Sequence, residues 1–416
     1  MRDDGATAYT IRPGRPADAD RCAALNDAVH PHTGIGPWTR DLFDNHPSVR
    51  PADFLVAEHT GGDGIVATLV AIRQEWTFGG VRLPVSQVEL VGTDPAHRGR
   101  QLAGRLLHAL HTRCSADGTA LQVIEGIPYF YRRFGYEYAL HVGGAPDVPL
   151  AGIRELPEAP GPLIRPATPA DAPALARVDR VRAGRDALTC PRDERAWLHE
   201  ISGHRPDSLA RRTVKALVDP SGEVNGYVVH GRRPSSDGTL PVLAAAYADP
   251  DAWPRIAPAL LRHLAEANAP LWLLLPASHP LARHAPPGTP RRPRAWYART
   301  ESPATLLNHV LPALARRWRD LGLRCPGDTM TIDTYHEVIR LHFTAGAPAT
   351  AQSEPRGTAQ TDARIPPGAL LQMLLGHRTP KELTDIWPDM TIPDPATAAF
   401  LEAAFPVTAP EIWAVA

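Results

Sequence analysis

The stretch of sequence that decides the fold runs from Gln87 to Tyr138 and reads QVELVGTDPAHRGRQLAGRLLHALHTRCSADGTALQVIEGIPYFYRRFGYEY. Residues 88–93 have the composition of a strand, and a basic, glycine-bearing turn follows at 97–101. Apolar residues then recur at helical spacing, namely Leu102, Leu106, Leu107 and Leu110. This pattern predicts a strand, a turn and a helix with one buried face.

The turn between the predicted strand and helix has the properties of an anion site. Amide N–H groups in the first turn of a helix have no partners within the helix, and the helix dipole makes this end positive. Arg98, Arg100 and Arg105 add charge around it. The turn has neither the Gly-Lys-Ser/Thr of a Walker loop nor the GxGxxG of a dinucleotide fold. We therefore expect a phosphate or pyrophosphate to bind here.

This turn resembles the coenzyme A pyrophosphate loop of the GCN5-related N-acetyltransferase (GNAT) superfamily, whose pattern is Arg/Gln-x-x-Gly-x-Gly/Ala. Residues 98–103 read RGRQLA, with Gln101 where the family usually has glycine. The segment YFYRRFGY at 129–136 is similar to the Tyr-x-x-x-Gly-Phe/Tyr segment that follows the fifth strand of that superfamily. The resemblance implies acetyl-CoA as cosubstrate, held by Val91, Gly92, Thr93, Arg98, Gly99, Arg100, Gln101, Leu102, Ala103 and Gly104.

The composition limits the kinds of protein that this chain can be. Its 416 residues exceed the usual size of one domain, and 43% of them are hydrophobic, which supports a substantial core. A net charge of −1 argues against a general nucleic-acid binder. The N-terminus lacks the apolar core of a signal peptide, no stretch reaches transmembrane length, and the four cysteines are far apart. We expect a cytoplasmic protein without membrane or nucleic-acid partners.

The sequence contains an internal repeat. Residues 11–19, IRPGRPADA, recur at 164–172 as IRPATPADA, an offset of 153 residues (164 − 11). Each copy reads as a short strand followed by a Pro-Ala-Asp helix start, so we expect a duplicated domain. Beyond a second Asp-Pro pair, the loop positions of the second copy are occupied by Trp253, Pro254 and Pro258. Proline removes an amide donor and tryptophan fills space, so the second copy is expected to bind no coenzyme.

The rest of the chain predicts a third unit. A proline- and arginine-rich connector at 284–300 is poorly suited to a sheet interior and marks a natural boundary. Beyond it we expect a helix at 304–321, a strand at 329–343, a polar loop at 345–362 and a helix at 367–375. That order indicates an α+β unit with a modest core of its own.

Two GNAT-like halves followed by a small α+β tail resemble the enhanced-intracellular-survival (Eis) type of acetyltransferase, whose tail is similar to a sterol carrier protein. The fold class implied is α/β and α+β, with tandem GNAT folds, each a mixed central sheet flanked by helices, before the small domain. The resemblance implies a catalytic domain at 1–150, a degenerate GNAT-like domain at 151–300 and a sterol-carrier-like domain at 301–416. It also implies a homo-oligomer.

Transfer of an acetyl group to an amine needs a proton for the leaving thiolate, and the resemblance places the family's tyrosine acid at Tyr131. A phenol has a reference pKa of about 10 and is protonated at neutral pH. Three carboxylates remain open as the base. The resemblance to Eis enzymes points to the terminal carboxylate of Ala416, where they usually end in an aromatic residue. Glu89, on the predicted strand, and Glu125, before the tyrosine-rich segment, are the rivals.

The acceptor implied by the resemblance is a small-molecule amine, either an aminoglycoside-like antibiotic or a specialised metabolite. Asp27 is a candidate to hold a cationic amine and Trp38 to stack on it, although such residues commonly cap helices and fill lids. His30 and His32 lack a third ligand at suitable spacing, so no metal is predicted.

Two other functions remain open. The first is a non-catalytic module that binds coenzyme A or a lipid. The second is an acyl-CoA enzyme that catalyses a different reaction on the same fold. The arginines and glycine of the loop occur together with Tyr131 in the first half, which favours an enzyme. His108 and His111, one turn apart on the predicted helix, are expected at the surface.

Overall fold

The computed structural model describes residues 8–127, 129–158, 160–184, 188–344, 346–358 and 360–413. Within these residues the strands, in chain order, are β1 (Tyr9–Pro13), β2 (Phe54–His59), β3 (Gly64–Phe78), β4 (Val81–Thr93), β5 (Leu121–Glu125), β6 (Glu137–Val142), β7 (Leu163–Pro166), β8 (Leu188–Thr189), β9 (Thr213–Val218), β10 (Val224–His230), β11 (Leu240–Tyr247), β12 (Leu271–Leu273), β13 (Arg294–Arg299), β14 (Thr329–Asp333), β15 (Glu337–Thr344), β16 (Ala347–Pro355) and β17 (Ala363–Arg364). The helices are α1 (Ala19–Val29), α2 (Ile35–Asp44), α3 (Leu102–Ala116), α4 (Leu150–Arg154), α5 (Ala172–Ala183), α6 (Glu194–Leu198), α7 (Trp253–Ala265), α8 (Pro280–Arg283), α9 (Pro303–Asp320), α10 (Pro367–Leu374), α11 (Pro380–Ile386) and α12 (Pro395–Ala404).

The first sheet has the strand order β1-β2-β3-β4-β5-β13-β6, with β8 beside β3. Alternate residues of β2 enter two cores, since Leu55 and Ala57 lie in the core with α3, and Phe54 and Val56 in the core with α1 and α2. Successive side chains of a strand point to opposite faces, so helices cover both faces of this sheet. The predicted helix is confirmed as α3, and its four leucines are buried.

Strands β4 and β5 are parallel and diverge soon after they meet. Their pairing runs from Val85 opposite Leu121 to Gln87 opposite Val123, and no further pair joins them among the described residues. The pairing of β4 with β3 shifts by one residue beyond Glu89, and Leu90 at this bulge has a φ of 55°. A positive φ is uncommon for a residue with a side chain. The second half of β4 therefore presents a free backbone edge toward β5.

Strand β13 corrects the prediction of an irregular connector at 284–300. It lies inside the first sheet, antiparallel to both β5 and β6. Trp296, Tyr297 and Ala298 are buried there. The prolines that suggested a loop all precede the strand, and proline disturbs a sheet only where a ladder amide is needed. The chain thus returns from its second half to complete the sheet of its first half.

The second sheet has the order β12-β11-β10-β9-β7, and its first elements reproduce those of the first sheet. Arg12 forms a two-pronged contact with Asp18, at 2.7 and 3.1 Å, and Arg165 forms the same contact with Asp171, at 2.7 and 2.8 Å. Each pair ties a strand to the start of the next helix. Charge-assisted contacts of this kind are among the strong ones in proteins. The predicted repeat is confirmed at the level of individual contacts.

The second copy differs where the loop of the first copy lies. A short 3-10 turn, Pro250–Ala252, runs directly into α7, so helix occupies the place of the exposed turn. Trp253 is 4% exposed, and its ring lies 5.4 Å from that of His279. That the second half binds no coenzyme stays a prediction.

The third sheet, β16-β15-β14-β17, corrects two predictions about the end of the chain. The predicted single strand at 329–343 is the hairpin of β14 and β15, and much of the predicted polar loop at 345–362 is the edge strand β16. An edge strand with one face in solvent is rich in polar residues, so it reads as a loop. Its core is also not separate, because one apolar cluster joins α9 and α10 to Trp76 and Trp296 of the first sheet.

No helix in the described ranges combines the length and apolarity needed to cross a membrane.

Candidate active site

The predicted anion loop lies at the end of β4 and opens onto solvent. Gln101 precedes α3 in the left-handed conformation, with φ 58° and ψ 22°, and its side chain does not cap the helix. Gly99 also has a positive φ, 79°. Residues 98–101 are exposed, and Leu102, Ala103 and Gly104 form the first turn of α3. The amide groups of this turn are therefore available to an anion, as the sequence predicted.

The arginines of the loop have different surroundings. Arg100 donates a hydrogen bond to the carbonyl of Ala96 at 2.7 Å, which holds its side chain beside the turn. Arg105 donates to the carbonyl of Tyr9 at 2.9 Å and so fastens α3 to β1. Arg98 is exposed. Arg98 and Arg100 are thus the better placed of the three to meet an anion.

The two motifs found in the sequence touch each other. A Cβ atom on Gly104 would lie 3.2 Å from the ring of Phe134, which belongs to the tyrosine-rich segment. Glycine in the first turn of α3 therefore lets this segment pack closely against the loop. The contact explains in part why both motifs occur in one domain.

A cluster of polar side chains connects the loop to β1 and to the turn between β2 and β3. Nδ1 of His97 lies at hydrogen-bond distance, 3.0 Å, from the hydroxyl oxygen of Tyr9, and Nε2 of His97 lies 3.4 Å from Asp63. Asp63 also contacts Nδ1 of His59 at 2.6 Å. The ligand atoms of His59, Asp63 and His97 lie within 4.8 Å of one another, close enough to hold a metal ion. In the structure they link β1 and the β2–β3 turn to the loop, and the absence of a metal stays a prediction.

The free edge of β4 includes the residues predicted to lie beside the thioester, Val91, Gly92 and Thr93. Gly92 and Thr93 pair with β3 on one side only, opposite Thr68 and Ala67. A Cβ atom on Gly92 would lie 3.1 Å from Oδ1 of Asn26, so α1 approaches the strand closely here. Their backbone groups on the other side face the gap toward β5.

A cavity of about 340 Å³ lies at the divergence of β4 and β5 and brings together three predicted site residues, Trp38, Glu89 and Glu125. Pockets of this size suit small ligands. A larger cavity of about 550 Å³ lies between β3 and α5–α6, and its walls include none of the predicted residues among those described. We therefore call the smaller cavity the active-site cavity.

Glu89 is the carboxylate best suited to exchange a proton in the active-site cavity. Its Oε1 accepts a hydrogen bond from Nε2 of Gln87 at 2.7 Å, on the shared strand face that the sequence predicted. Burial, helped by the nearby charge of Glu125, raises the pKa of Glu89 to about 8. A carboxyl group whose pKa lies near neutrality can both accept and release a proton at working pH.

Glu125 has a competing partner. Its carboxylate forms an ion pair with Arg294, which β13 brings from the second half of the chain. Burial raises the pKa of Glu125, and Arg294 opposes this change. An ion-paired carboxylate is less available to take a proton from a ligand.

Tyr131 lies at the start of a 3-10 turn, Tyr131–Phe134, and is 5% exposed. A Cβ atom on Gly126 would lie 2.1 Å from its ring, so this glycine makes room for the tyrosine. Burial and then the charge of Glu89 raise the pKa of Tyr131 above its ordinary value. The phenol therefore stays protonated, as a proton donor requires, and it senses the charge of Glu89.

The neighbouring tyrosines either pack against other side chains or lie exposed to solvent. The hydroxyl group of Tyr136 donates to Oε1 of Gln122 at 3.0 Å, inside the core. Tyr138 packs on His377 at 4.9 Å between ring centres, and Tyr129 is 72% exposed. Tyr131 lies close enough to Glu89 that, after burial, the charge of Glu89 also raises the pKa of the phenol, but Tyr131 is not among the described wall residues of the active-site cavity.

The predicted acceptor residues separate in the structure. Trp38 is buried and forms part of the cavity wall. Asp27 is exposed, and its Oδ1 accepts a hydrogen bond from the amide of Gly36 at 2.7 Å, in the first turn of α2. Asp27 thus stabilises a helix start and does not form part of the cavity wall.

The predicted terminal base, Ala416, lies outside the described residues. Trp413, three residues before it, is part of the wall of the active-site cavity. The guanidinium of Arg192 lies 3.3 Å from the centre of the Trp413 ring and donates to its carbonyl oxygen at 3.3 Å. The role of the terminal carboxylate stays a prediction.

The cavity wall also contains residues that the sequence reasoning missed, namely Glu200, Arg212, Arg294, Trp296 and Trp413. They come from the second half, from β13 and from the end of the chain, so no local motif connects them. Repeated arginines at 211–212, 232–233 and 291–294 were the available signal.

The prediction that both histidines of α3 lie at the surface is wrong for His111. His108 is exposed, but His111 is buried, and burial lowers its pKa to about 3. His111 follows Leu107 by four residues, so it lies on the same buried face of the helix. Its ring lies 5.7 Å from that of Tyr136 and belongs to the core.

Comparison with known proteins gives a family for the first part of the chain and a fold for the whole. A family model described as an acetyltransferase (GNAT) domain matches residues 10–139. No curated protein sequence matches the chain significantly.

Three solved structures share the fold over nearly the whole chain. A GCN5-related N-acetyltransferase from Kribbella flavida has a TM-score of 0.72 at 18% identity, covering 98% of this chain and 99% of that one. A GCN5-related N-acetyltransferase from Anabaena variabilis has a TM-score of 0.69 at 15% identity, covering 98% and 99%. Eis1 from Mycobacterium abscessus has a TM-score of 0.65 at 19% identity, covering 96% and 98%. Residues 10–139 thus match a GNAT acetyltransferase domain, and the whole chain shares its fold with solved GNAT proteins including Eis1.

Proposed function

We propose that this protein is a coenzyme A-dependent N-acyltransferase that transfers an acetyl group from acetyl-CoA directly to an amine of a small molecule. The observation that carries the proposal is that β4 diverges from β5 between an anion site and a cavity with a carboxyl group. The open start of α3 lies at the end of β4, and the cavity with Glu89 lies at its middle. A thioester along the free edge of β4 would lie next to groups that exchange protons.

The residues at the start of α3 fit a pyrophosphate. The amides of Leu102, Ala103 and Gly104 form the first turn, and Arg98 and Arg100 supply positive charge beside it. These residues would hold coenzyme A, which supplies the acetyl group as a thioester. The backbone of Val91, Gly92 and Thr93 would hold its extended arm.

Glu89 in the cavity and the nearby buried Tyr131 would account for the protons. As the C–N bond forms and the C–S bond breaks, the nitrogen must lose a proton and the sulfur must gain one. Glu89 takes the proton from the amine. Its pKa of about 8 makes its carboxylate a stronger base than an ordinary carboxylate. The buried phenol of Tyr131 gives a proton to the thiolate. Glu125 and the Ala416 carboxylate are the other candidates for the base.

We further propose the finer architecture expected from the sequence. The chain is an Eis-type enzyme with a sterol-carrier-like domain at 301–416, acts in the cytoplasm and forms a homo-oligomer. The full-length fold shared with Eis1 supports the architecture. Light scattering of the purified protein measures the oligomeric state, and a monomer would refute that part. The acceptor expected from the sequence is an aminoglycoside-like antibiotic or a specialised metabolite.

Thermal stability with and without acetyl-CoA tests the cofactor site. A ligand at about 100 times its Kd stabilises the folded state by about 2.7 kcal/mol. We expect this stabilisation in the wild type and its loss when Arg98→Ala and Arg100→Ala are combined. Arg255→Ala is the matched control, because Arg255 is an exposed arginine on α7.

Thiol release from acetyl-CoA in the presence of a panel of amines tests the reaction. Stabilisation together with amine-dependent thiol release supports an acetyltransferase. Stabilisation without release for any amine would favour the non-catalytic binding module. No stabilisation of the wild type would refute the cofactor site itself.

A further inference from the structure

A second cavity, of about 380 Å³, adjoins the active-site cavity. The two share five wall residues, which are Leu209, Arg212, Leu243, Leu274 and Arg294. Exposed residues such as Arg232 and Arg233 lie at the outer end, and Glu89 lies at the inner end. We call the two cavities together the passage. An acceptor that reaches Glu89 through it must pass the residues of the second cavity.

The second cavity is strongly basic. Its wall contains one carboxylate, Asp207, and five arginines, which are Arg211, Arg212, Arg232, Arg233 and Arg294. In the part of the chain that the structure describes, only Arg294 of these five has an ion pair, with Glu125. Arg212 and Arg232 donate hydrogen bonds to the carbonyls of Leu209 and Pro206. Those contacts hold the two guanidinium groups in place, and within the described ranges neither group forms an ion pair.

The carboxylates of the inner cavity do not balance this charge. Glu125 is already paired with Arg294, and Glu200 contacts Arg192 at 3.0 Å and His204 at 3.6 Å. Burial opposes ionisation of Glu200, but these partners outweigh it and lower its pKa to about 2. Glu89, with a pKa of about 8, is mostly uncharged at neutral pH. Among the residues that the structure describes, the charge in the passage that has no ion-pair partner is therefore mainly positive.

The walls of the inner cavity are partly aromatic. Trp38, Trp296 and Trp413 contribute three indole rings around Glu89. Such walls favour a flat apolar body, and fixed guanidinium groups favour a carboxylate or phosphate, which they bind through paired hydrogen bonds. A polycationic acceptor would instead meet several unpaired arginines, and like charges in a confined site repel.

We propose that the acceptor is an amine that carries an acidic group, a carboxylate or a phosphate, bound by the arginines of the passage while its amine faces Glu89. This inference rests on the proposed acetyltransferase function and narrows its substrate class. It favours an acidic metabolite over an aminoglycoside. Arg212 has the central part, because it lines both cavities and, unlike Arg294, forms no ion pair among the described residues.

Matched acceptors test the proposal in the full-length protein. We would compare para-(aminomethyl)benzoate with the corresponding carboxamide and the corresponding aryl phosphate, with kanamycin as the polycation. These three aromatic probes have the same ring and the same aminomethyl group, and they differ only in whether the other substituent is a carboxylate, a neutral carboxamide or a phosphate. The kcat/KM of thiol release from acetyl-CoA should be at least about tenfold higher for one or both acidic probes than for the carboxamide. The probe with the larger advantage identifies carboxylate or phosphate as the preferred group.

Two variants connect the preference to the arginines. Arg212→Met keeps an unbranched stem but removes the charge, and it should bring the ratio between acidic and neutral probes close to one, mainly through KM. Arg233→Met, at an exposed position, should lower the same ratio if Arg212→Met does not fold. Arg255→Met, outside the passage, should leave the ratio unchanged.

The outcomes separate this inference from the proposed function. Equal rates for acidic and neutral probes, a preference for kanamycin, or a ratio insensitive to both variants would each overturn it. So would acetylation of no probe by a protein that acetyl-CoA still stabilises. Loss of that stabilisation would instead overturn the cofactor site, on which both ideas depend.

Discussion

Replacement of Glu89 by glutamine tests the chemistry of the cavity most directly. The pKa of Glu89 is about 8 in the fold, so about one tenth of these groups are ionised at pH 7. The rate of a step that needs the carboxylate should therefore rise about tenfold per pH unit and level off above pH 8. Glu89→Gln has the same shape but takes no proton. It should lose this rise and about 10² to 10⁴ in kcat.

The same substitution has a calculable effect on stability. Because the fold raises the pKa of this acid from 4.5 to about 8, the folded state holds the proton more tightly than the unfolded state. The resulting stabilisation is complete below pH 4.5 and is lost as the pH rises through about 8. At about 1.36 kcal/mol per pKa unit it amounts to at most about 5 kcal/mol. Water reaching the part-exposed side chain reduces this value.

The assay for the rate is thiol release with an aromatic amine, which remains neutral from pH 6 to pH 9, so that only the enzyme titrates. The assay for stability is urea unfolding of both proteins at pH 5 and pH 9. Glu89→Gln should gain stability relative to the wild type at the higher pH. Glu125→Gln should keep the pH-dependent rise but move it to lower pH, because the charge of Glu125 helps burial to raise the pKa of Glu89.

An unchanged pH profile in Glu89→Gln would refute the reasoning. The base would then be Glu125 or the terminal carboxylate of Ala416. One residue added after Ala416 distinguishes these two, because it displaces the terminal carboxylate and leaves Glu125 in place.

Three further predictions each depend on a single residue. Tyr131→Phe should lower kcat for thiol release at least about a hundredfold and leave the thermal stabilisation by acetyl-CoA intact. Loss of both the rate and the stabilisation would show that the tyrosine is structural. Gln101→Gly and Gln101→Val should differ in stability by about 1 to 2 kcal/mol in favour of glycine, because the backbone at Gln101 has a φ of 58°; equal urea midpoints would contradict this. Asp171→Asn should cost about 2 kcal/mol at pH 7, because the hydrogen bond from Arg165 lowers the pKa of Asp171 from 3.8 to about 2. That contribution is present above pH 3.8 and is lost as the pH falls through about 2, so the two proteins should converge in acid.

The parts of the site that lie close together in the chain were predictable. The spacing of four leucines identified α3 and its buried face, and the basic turn before it identified an open helix start. In both copies of the repeat, an arginine on the strand contacts an aspartate six residues later at the helix start. Local spacing determines these features, because helix geometry and capping involve only neighbouring residues.

The predictions failed where the answer depended on distant partners. Strand β13 read as a connector because it is short and the residues before it are rich in proline, yet β5 and β6 both pair with it. Strand β16 read as a loop because one of its faces is polar. His111 read as a surface residue because its type is polar, although its position on α3 buries it.

The sequence by itself determined the strand, loop and helix of the first half, the repeat, and the tyrosine-rich segment. Only the tertiary structure decided that, of Glu89 and Glu125, it is Glu125 that forms an ion pair with Arg294. It also brought Arg212 and Trp413, from the second half and the end of the chain, to one cavity with Glu89. The physical reason is that burial and charge pairing, which set the pKa of a group, depend on neighbours in space, and these neighbours lie far apart in the chain.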